Sequence, residues 1–266
     1  MKKQPVIIVT GASRGLGASV AVWLGRIGAA VALVAQTHRA LEQTATQVQN
    51  QGGTPLVLPA DVRHATACAT VISKTLENFG CIDALVNNAG VFQPLAAVAN
   101  ADPDLWRYNI EVNLLGPFQM TRAAMGPLRQ QGGRIVNVSS GAANHPIAMA
   151  SAYCAAKAGL NHFTRVLAEE EPSLTVVAVR PGVVDTAMQV YIREQGPGVM
   201  PNDQIAYYQN LKTDGLLEPP LVPARVIAWL ALHAPRSLSG AFIDYDDARV
   251  QRPAEDFFGT DMPKGL

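Results

Sequence analysis

Tyr153 and Lys157 stand four residues apart in a stretch with helical spacing of apolar groups, so they share a face one turn apart. A phenol ordinarily ionises at about pH 10. An ammonium beside it favours the phenolate and lowers that value, bringing proton transfer within reach at neutral pH. Ser140 lies thirteen residues earlier, at the end of an apolar strand. Its hydroxyl can hydrogen-bond a carbonyl oxygen or a developing alkoxide. Each residue has a plainer use as well. A tyrosine at a helix start packs at an interface, a lysine one turn on faces solvent, and a serine after a strand caps a turn. Spacing alone leaves both uses open.

A second group of candidates opens the chain. Residues 5–9 form a continuous apolar run, followed by Thr10-Gly11-Ala12-Ser13-Arg14-Gly15-Leu16-Gly17 and a helical pattern over residues 18–24. This reads as a buried strand, a glycine turn and a helix. Gly11 allows a sharp turn, Gly15 lets backbone approach a phosphate, and Gly17 lets the helix sit close to the sheet. The free amides at the helix start would hold a pyrophosphate. The alternative is a tight strand–helix turn that binds nothing.

The rest of the chain must position these groups. Strands are predicted at residues 31–35, 55–60, 82–86, 134–138, 174–179 and 240–245. Helices are predicted at 40–51, 65–79, 152–170 and 224–233. A longer helix starts at Asp102-Pro103, passes Asn113, bends or breaks at Gly116-Pro117 and resumes to about 128. The alternation predicts an α/β fold, a Rossmann-type doubly wound parallel seven-stranded sheet with helices on both faces. Residues 1–250 are expected to form a single dinucleotide-binding and catalytic domain. Between residues 185 and 223 the periodicity fails, with one short helix at 203–211, and this insertion reads as a substrate lid. Residues 251–266 read as a C-terminal tail, polar and proline-containing, with Phe257-Phe258 as a docking anchor.

Twenty-one basic and twenty-one acidic side chains cancel, which gives no support to nucleic acid or a membrane surface as a partner. A 48% hydrophobic, 16% charged composition suits a buried parallel sheet and an oligomer that hides surface. Cys68, Cys81 and Cys154 lack metal spacing and read as reduced thiols of a cytoplasmic protein. The five histidines are scattered, so no metal site is expected. The first residues enter a strand at once, leaving no room for a signal peptide. No apolar run is long enough to span a bilayer.

Taken together, Thr10-Gly11-x-x-x-Gly15-x-Gly17, Asn87-Asn88-Ala89-Gly90, Asn113, Ser140, Tyr153-x-x-x-Lys157, and Pro181-Gly182 followed by Thr186 resemble the short-chain dehydrogenase/reductase family of the classical type. The resemblance covers residues 5–245. It implies an oxidoreductase that moves hydride between a nicotinamide and a carbonyl or secondary alcohol, here reduction of an apolar ketone. It implies Tyr153 as acid/base, with Lys157 lowering its pKa and bonding the nicotinamide ribose. Ser140 would orient the substrate oxygen, and Asn113 would hold a water that relays protons from Lys157. The implied cofactor contacts are Gly11, Ser13, Arg14, Gly15, Leu16, Gly17, Gln36, His38, Arg39, Asp61, Val62, Asn88, Ala89, Gly90, Tyr153, Lys157, Pro181, Gly182, Val184 and Thr186. Asn113 and Asn87 also have local uses, in a helix kink and an Asx turn.

No acid stands at the end of the second strand, where one would bind the ribose 2′-hydroxyl and repel a 2′-phosphate. Arg14 in the turn, with Arg39 and His38 nearby, favours NADP (as NADPH) over NAD. Gln36 departs from the arginine common there in NADP-preferring relatives. His145, Met149, Met188, Val190, Tyr191, Val199, Tyr207 and Tyr208 are candidates to line a pocket for a small apolar substrate. A homodimer or homotetramer is expected by the resemblance. The competing readings are a non-catalytic NADP-binding sensor or scaffold and a nucleotide-sugar epimerase or dehydratase. The glycine spacing and short tail count against the second, and the retained Ser140, Tyr153, Lys157 and Asn113 against the first.

Overall fold

The computed structural model describes residues 4–263, so the expectations for residues 1–3 and for the last three residues of the tail lie outside it. Strand β1 (Val6–Thr10) is buried at every position. With β2 (Ala30–Ala35), β3 (Thr54–Pro59), β4 (Ala84–Asn87), β5 (Arg134–Val138), β6 (Thr175–Arg180) and β7 (Phe242–Asp244) it forms one sheet in the order β3-β2-β1-β4-β5-β6-β7. Every pairing is parallel. Strands covered on both faces need no polar alternation, which explains the continuous apolar runs. Alternate residues serve opposite cores: Ile7, Val9, Val31 and Leu33 enter one, and Ile8, Ala32 and Val34 the other. The strand order reverses between β1 and β4, and ligands of such sheets bind at the carboxyl ends beside that reversal.

Helices α1 (Gly15–Arg26) and α2 (His38–Asn50) cover one face, and α3 (Ala65–Phe79) covers the other. Helix α4 (Pro103–Ile110) is capped by the Asp102 carboxylate, which accepts from the amides of Asp104 and Leu105. It runs through a π turn (Glu111–Leu115) into α5 (Gly116–Gln131). The irregularity expected at Gly116-Pro117 is therefore taken up one step earlier. Pro117 sits in the first turn of α5, directly after the π turn. Helix α6 (Ser151–Glu170) follows β5.

Two regions differ from the sequence expectation. The insertion carries two helices, α7 (Ala187–Gln195) and α8 (Asn202–Thr213), before α9 (Leu221–His233). The segment read as a tail folds as α10 (Ala248–Phe258), capped by Asp247. Its buried residues Val250, Ala254 and Phe258 recur every four positions and enter the core of α1 and α9. The Phe258 ring lies 5.1 Å from that of Trp23, and Glu255 accepts from the buried Arg225 at 2.5 Å. Phe258 is thus the anchor, whereas Phe257 is 44% exposed. Among the described residues, no helix is long and apolar enough to cross a membrane.

Candidate active site

The glycine turn leaves β1 at the strand-order reversal and is stapled there. The Thr10 hydroxyl accepts from the backbone amides of Asn88 and Ala89 at 2.9 and 3.0 Å. Asn88 Nδ2 donates back to the Thr10 and Gly11 carbonyls at 2.9 and 3.3 Å. Gly15 holds a left-handed backbone, φ +54°. A Cβ on Gly17 would stand 2.3 Å from the Gly11 carbonyl oxygen and 2.4 Å from Asn88 Nδ2, so no side chain fits there. Leu16 packs against the core, and Ser13, Arg14 and Gly15 line a cleft of about 320 Å³ with Pro219 and Pro220. Arg14 is exposed, and its side chain makes no cap bond to α1.

Beside this turn, β2 ends at a half-buried Ala35, and Gln36, Thr37, His38 and Arg39 are all exposed. Helix α2 begins two residues earlier than expected, which puts His38 and Arg39 in its first turn. His38 stands 3.4 Å from Glu42. Asp61 is held by Arg63 at 2.7 Å, with the guanidinium also 4.8 Å above the Tyr108 ring. Burial works to raise the Asp61 carboxyl, but the hydrogen bonds and charge of Arg63 outweigh it and hold it below its usual range. Val62 is buried against Gly116. On the far side of the cleft, Pro181 and Val184 are buried and Thr186 takes the N-cap position of α7 without a side-chain cap bond. The Thr186 methyl lies 3.2 Å from where a Cβ on Gly15 would stand. Gly182 is exposed with φ +76°, facing the Tyr245 ring.

Ser140, Tyr153, Lys157 and Asn113 converge at the carboxyl ends of β4 and β5. Ser140 Oγ accepts from the Ala142 amide at 3.2 Å, and its hydroxyl also stands within hydrogen-bonding reach of the Tyr153 phenol. Lys157 is 5% exposed, and its Nζ donates to the Val138 carbonyl at 2.9 Å. Asn113 sits in the π turn, and its side chain brackets Val91, donating to the carbonyl at 2.8 Å and accepting from the amide at 3.2 Å. It also donates to Asn109 Oδ1 at 2.8 Å. The local use of Asn113 in an irregular helix is therefore realised. π turns recur at functional sites because they re-aim one side chain. A Cβ on Gly90 would meet Asn113 Oδ1 at 2.9 Å and Lys157 Nζ at 3.9 Å. Asn87 serves the sheet, donating to Asn137 Oδ1 at 2.9 Å.

The electrostatics correct one expectation. Burial pushes the Tyr153 phenol up to about 12, opposed by the hydrogen bond from Ser140. Burial likewise pulls the Lys157 ammonium down to about 8. The lysine lies 5.6 Å from the centroid of the Tyr153 ring and spends a proton on Val138. The polypeptide alone therefore does not lower the phenol: removal from water dominates both groups.

Over Tyr153 closes an apolar cluster containing Phe92, Ile192, Met200, Ile205 and Tyr208, with Met149, Met188 and Tyr191 at its edge. The Phe92 ring lies 4.8 Å from that of Tyr153. Four of the eight residues expected in a pocket are here. His145 instead is exposed and lines a separate cleft with Arg180 and Asp244. Val190, Val199 and Tyr207 face solvent, at 41%, 39% and 52% exposure. Phe92, Met200 and Ile205 escaped the sequence reading. Phe92 follows the Asn87–Gly90 motif by two residues, a proximity that was its only signal.

A glycine turn that tolerates no side chain, a strand end without an acid and a buried lysine beside a tyrosine fit a nicotinamide dinucleotide. Among the described residues, no group of three or more His, Cys, Asp or Glu is placed to hold a metal ion.

Comparison with known proteins agrees. The short chain dehydrogenase family matches residues 5–197. An uncharacterised oxidoreductase of Saccharomyces cerevisiae is 34% identical over 91% of this chain and 96% of its own. A crystal structure of a short-chain dehydrogenase/reductase from the same yeast superposes with TM-score 0.88 at 33% identity, covering 93% of this chain and 98% of that one. A benzil reductase ((S)-benzoin forming) of that organism is 34% identical over 92% of this chain and 97% of its own. The actinorhodin polyketide ketoreductase, solved with NADPH, gives TM-score 0.81 at 28% identity, covering 92% and 96%. The chain belongs to the short-chain dehydrogenase family and is an NAD(P)-dependent oxidoreductase of carbonyl and alcohol substrates.

Proposed function

We propose that the protein is an NADPH-dependent reductase of bulky apolar ketones. The observation that carries the reading is the apolar cluster of Phe92, Met149, Met188, Tyr191, Met200 and Tyr208 closed over Tyr153. It offers an apolar substrate surface to bury and offers an anionic one no clustered cations. The relatives named for reducing benzil and a polyketide support the same substrate class. The exposed Arg14, Gln36, His38 and Arg39, with no acid on β2, favour the phosphorylated cofactor.

When bound, the nicotinamide supplies the hydride. The polypeptide does the rest. Tyr153, buried and protonated at neutral pH, holds the proton that the ketone oxygen would take. The Ser140 hydroxyl, fixed by the Ala142 amide, orients that oxygen and stabilises the charge it gains. Lys157 keeps N–H groups beyond the one spent on Val138, and these would hold the nicotinamide ribose. Asn113 stands between Val91 and Gly90 and, in this reading, holds the relay water behind Lys157. The glycine turn, Ser13, Leu16, Asn88, Ala89, Gly90, Asp61 and Val62 would line the adenosine and pyrophosphate path, and Pro181, Gly182, Val184 and Thr186 the nicotinamide end.

Residues 185–223 form the lid in this reading, since α7 and α8 contribute the cluster above Tyr153. Exposed Leu105, Trp106, Leu115, Phe118 and Val166 on α4, the π turn, α5 and α6 support a homodimer or homotetramer. Three free cysteines support a cytoplasmic setting. The test is NADPH oxidation by the purified protein with benzil. Turnover that Tyr153→Phe abolishes without weakening NADPH binding supports the reading. NADPH binding with turnover unchanged in Tyr153→Phe would overturn it.

A further inference from the structure

The segment read above as the lid leaves the sheet and returns to it at one place. Glu218, near its end, pairs with both neighbours of Val184 at its start. The Glu218 amide donates to the Val183 carbonyl, and its carbonyl accepts from the Asp185 amide, each at 2.9 Å. Lys212 Nζ adds a bond to the Asp185 carboxylate at 2.8 Å. Helices α7 and α8 lie between these closures, and with them Ile192, Met200, Ile205 and Tyr208 of the cluster over Tyr153. The lid therefore hangs from a narrow base.

That base is tied to the last strand. A Cβ on Gly182 would stand 2.9 Å from Tyr245 Cε1 and 3.5 Å from Glu218 Cγ, so the two side chains meet over Gly182. Tyr245 follows β7, its amide donates to the Arg180 carbonyl at 2.9 Å, and its ring packs against the core. Its hydroxyl stands within hydrogen-bonding reach of the Glu218 carboxylate, and burial together with that carboxylate holds the phenol above its ordinary value. A hydroxyl donating to a carboxylate makes a charge-assisted bond, stronger than a neutral one. A segment held by few bonds at its base opens locally at far lower cost than the whole fold. Tyr245 belongs neither to the cluster over Tyr153 nor to the group of Ser140, Tyr153, Lys157 and Asn113. Loss of its hydroxyl thus loosens the lid without touching the reacting groups.

Resting on the reading of residues 185–223 as a substrate lid, we propose that Tyr245 is a positioning residue for substrate binding: its hydroxyl clasps Glu218 and holds the base of the lid against the sheet, so that the apolar cluster stays closed over Tyr153. Glu218 is the other half of the clasp.

The test combines amide hydrogen exchange of the ligand-free protein with steady-state reduction of benzil by NADPH. Tyr245→Phe keeps the ring on Gly182 and removes only the hydroxyl. Its amides in residues 187–213 should exchange about tenfold faster than in wild type, the worth of one charge-assisted bond, while those of β1 and β5 keep their rates. Its KM for benzil should rise about fivefold to tenfold, with kcat within about twofold of wild type. Glu218→Leu should reproduce both effects and add nothing to Tyr245→Phe in the double variant. Glu218→Gln keeps an acceptor oxygen and should behave as wild type. A Tyr245→Phe protein whose lid exchanges at the wild-type rate overturns the proposal. So does one that exchanges faster in β1 and β5 as well, since Tyr245 would then only support the fold, or one with a looser lid and an unchanged KM. A wild type that turns over no benzil overturns the ketone reading instead, and exchange alone then decides whether the clasp holds the lid.

Discussion

Lys157 is buried as a cation in the ligand-free protein, and replacing it should make that protein more stable. Burial brings its pKa from 10.5 to about 8, and it is 5% exposed. That displacement corresponds to about 3 kcal/mol charged against folding at neutral pH. Lys157→Met keeps an unbranched side chain of similar length and removes the charge. It also removes the charge-assisted bond to the Val138 carbonyl, a loss of about 1.5–2 kcal/mol. The variant is therefore expected to gain about 1 kcal/mol at pH 7 while losing catalysis. The gain has a pH signature. The folded-state value lies below the unfolded one, so between about 8 and 10.5 the unfolded chain binds more protons than the folded chain. Wild-type stability, as far as Lys157 determines it, rises with pH across that window. The gap between variant and wild type should be full below the window, close within it and reverse above it, where only the lost bond to Val138 remains. Urea unfolding of both proteins, ligand-free, at several pH values measures this directly. A variant less stable than wild type at pH 7, or a gap that does not change with pH, would refute the argument.

Other outcomes follow from the same geometry. Gly17→Ala places a Cβ 2.3 Å from the Gly11 carbonyl, and should destabilise the fold by about 1–3 kcal/mol and abolish dinucleotide binding, read by denaturation and fluorescence titration. Phe258→Ala empties the contact with Trp23 and should cost about 3–5 kcal/mol in urea unfolding, with turnover per folded molecule unchanged. Because burial raises Tyr153 to about 12, ligand-free wild type and Tyr153→Phe should show the same tyrosinate absorbance up to about pH 10 and diverge only above it.

The strands were legible because a sheet buried on both faces demands uninterrupted apolar runs, and β1, β2 and β6 are almost wholly buried. The glycine turn and the Tyr153/Lys157 pair were legible because local spacing decides them. Helix α10 was not, although Val250, Ala254 and Phe258 keep helical spacing, because Pro253 and the surrounding charges obscure the stripe. The apolar cluster over Tyr153 was half legible. Met149 and Tyr191 stand near recognisable motifs, whereas Phe92 and Ile205 meet only when residues 185–223 fold back over the sheet. The sign of the Tyr153 shift was beyond sequence spacing, which identifies neighbours but not how much water the fold removes.

The central claim is an NADPH-dependent reductase, and the most direct measurement is titration of the purified protein with NADPH and NADH separately at low salt. The account predicts tighter binding of NADPH, with the advantage reduced by added salt and lost in Arg14→Ala, because the exposed cation would meet the 2′-phosphate. Equal or tighter binding of NADH, with Arg14→Ala indistinguishable from wild type, would contradict it.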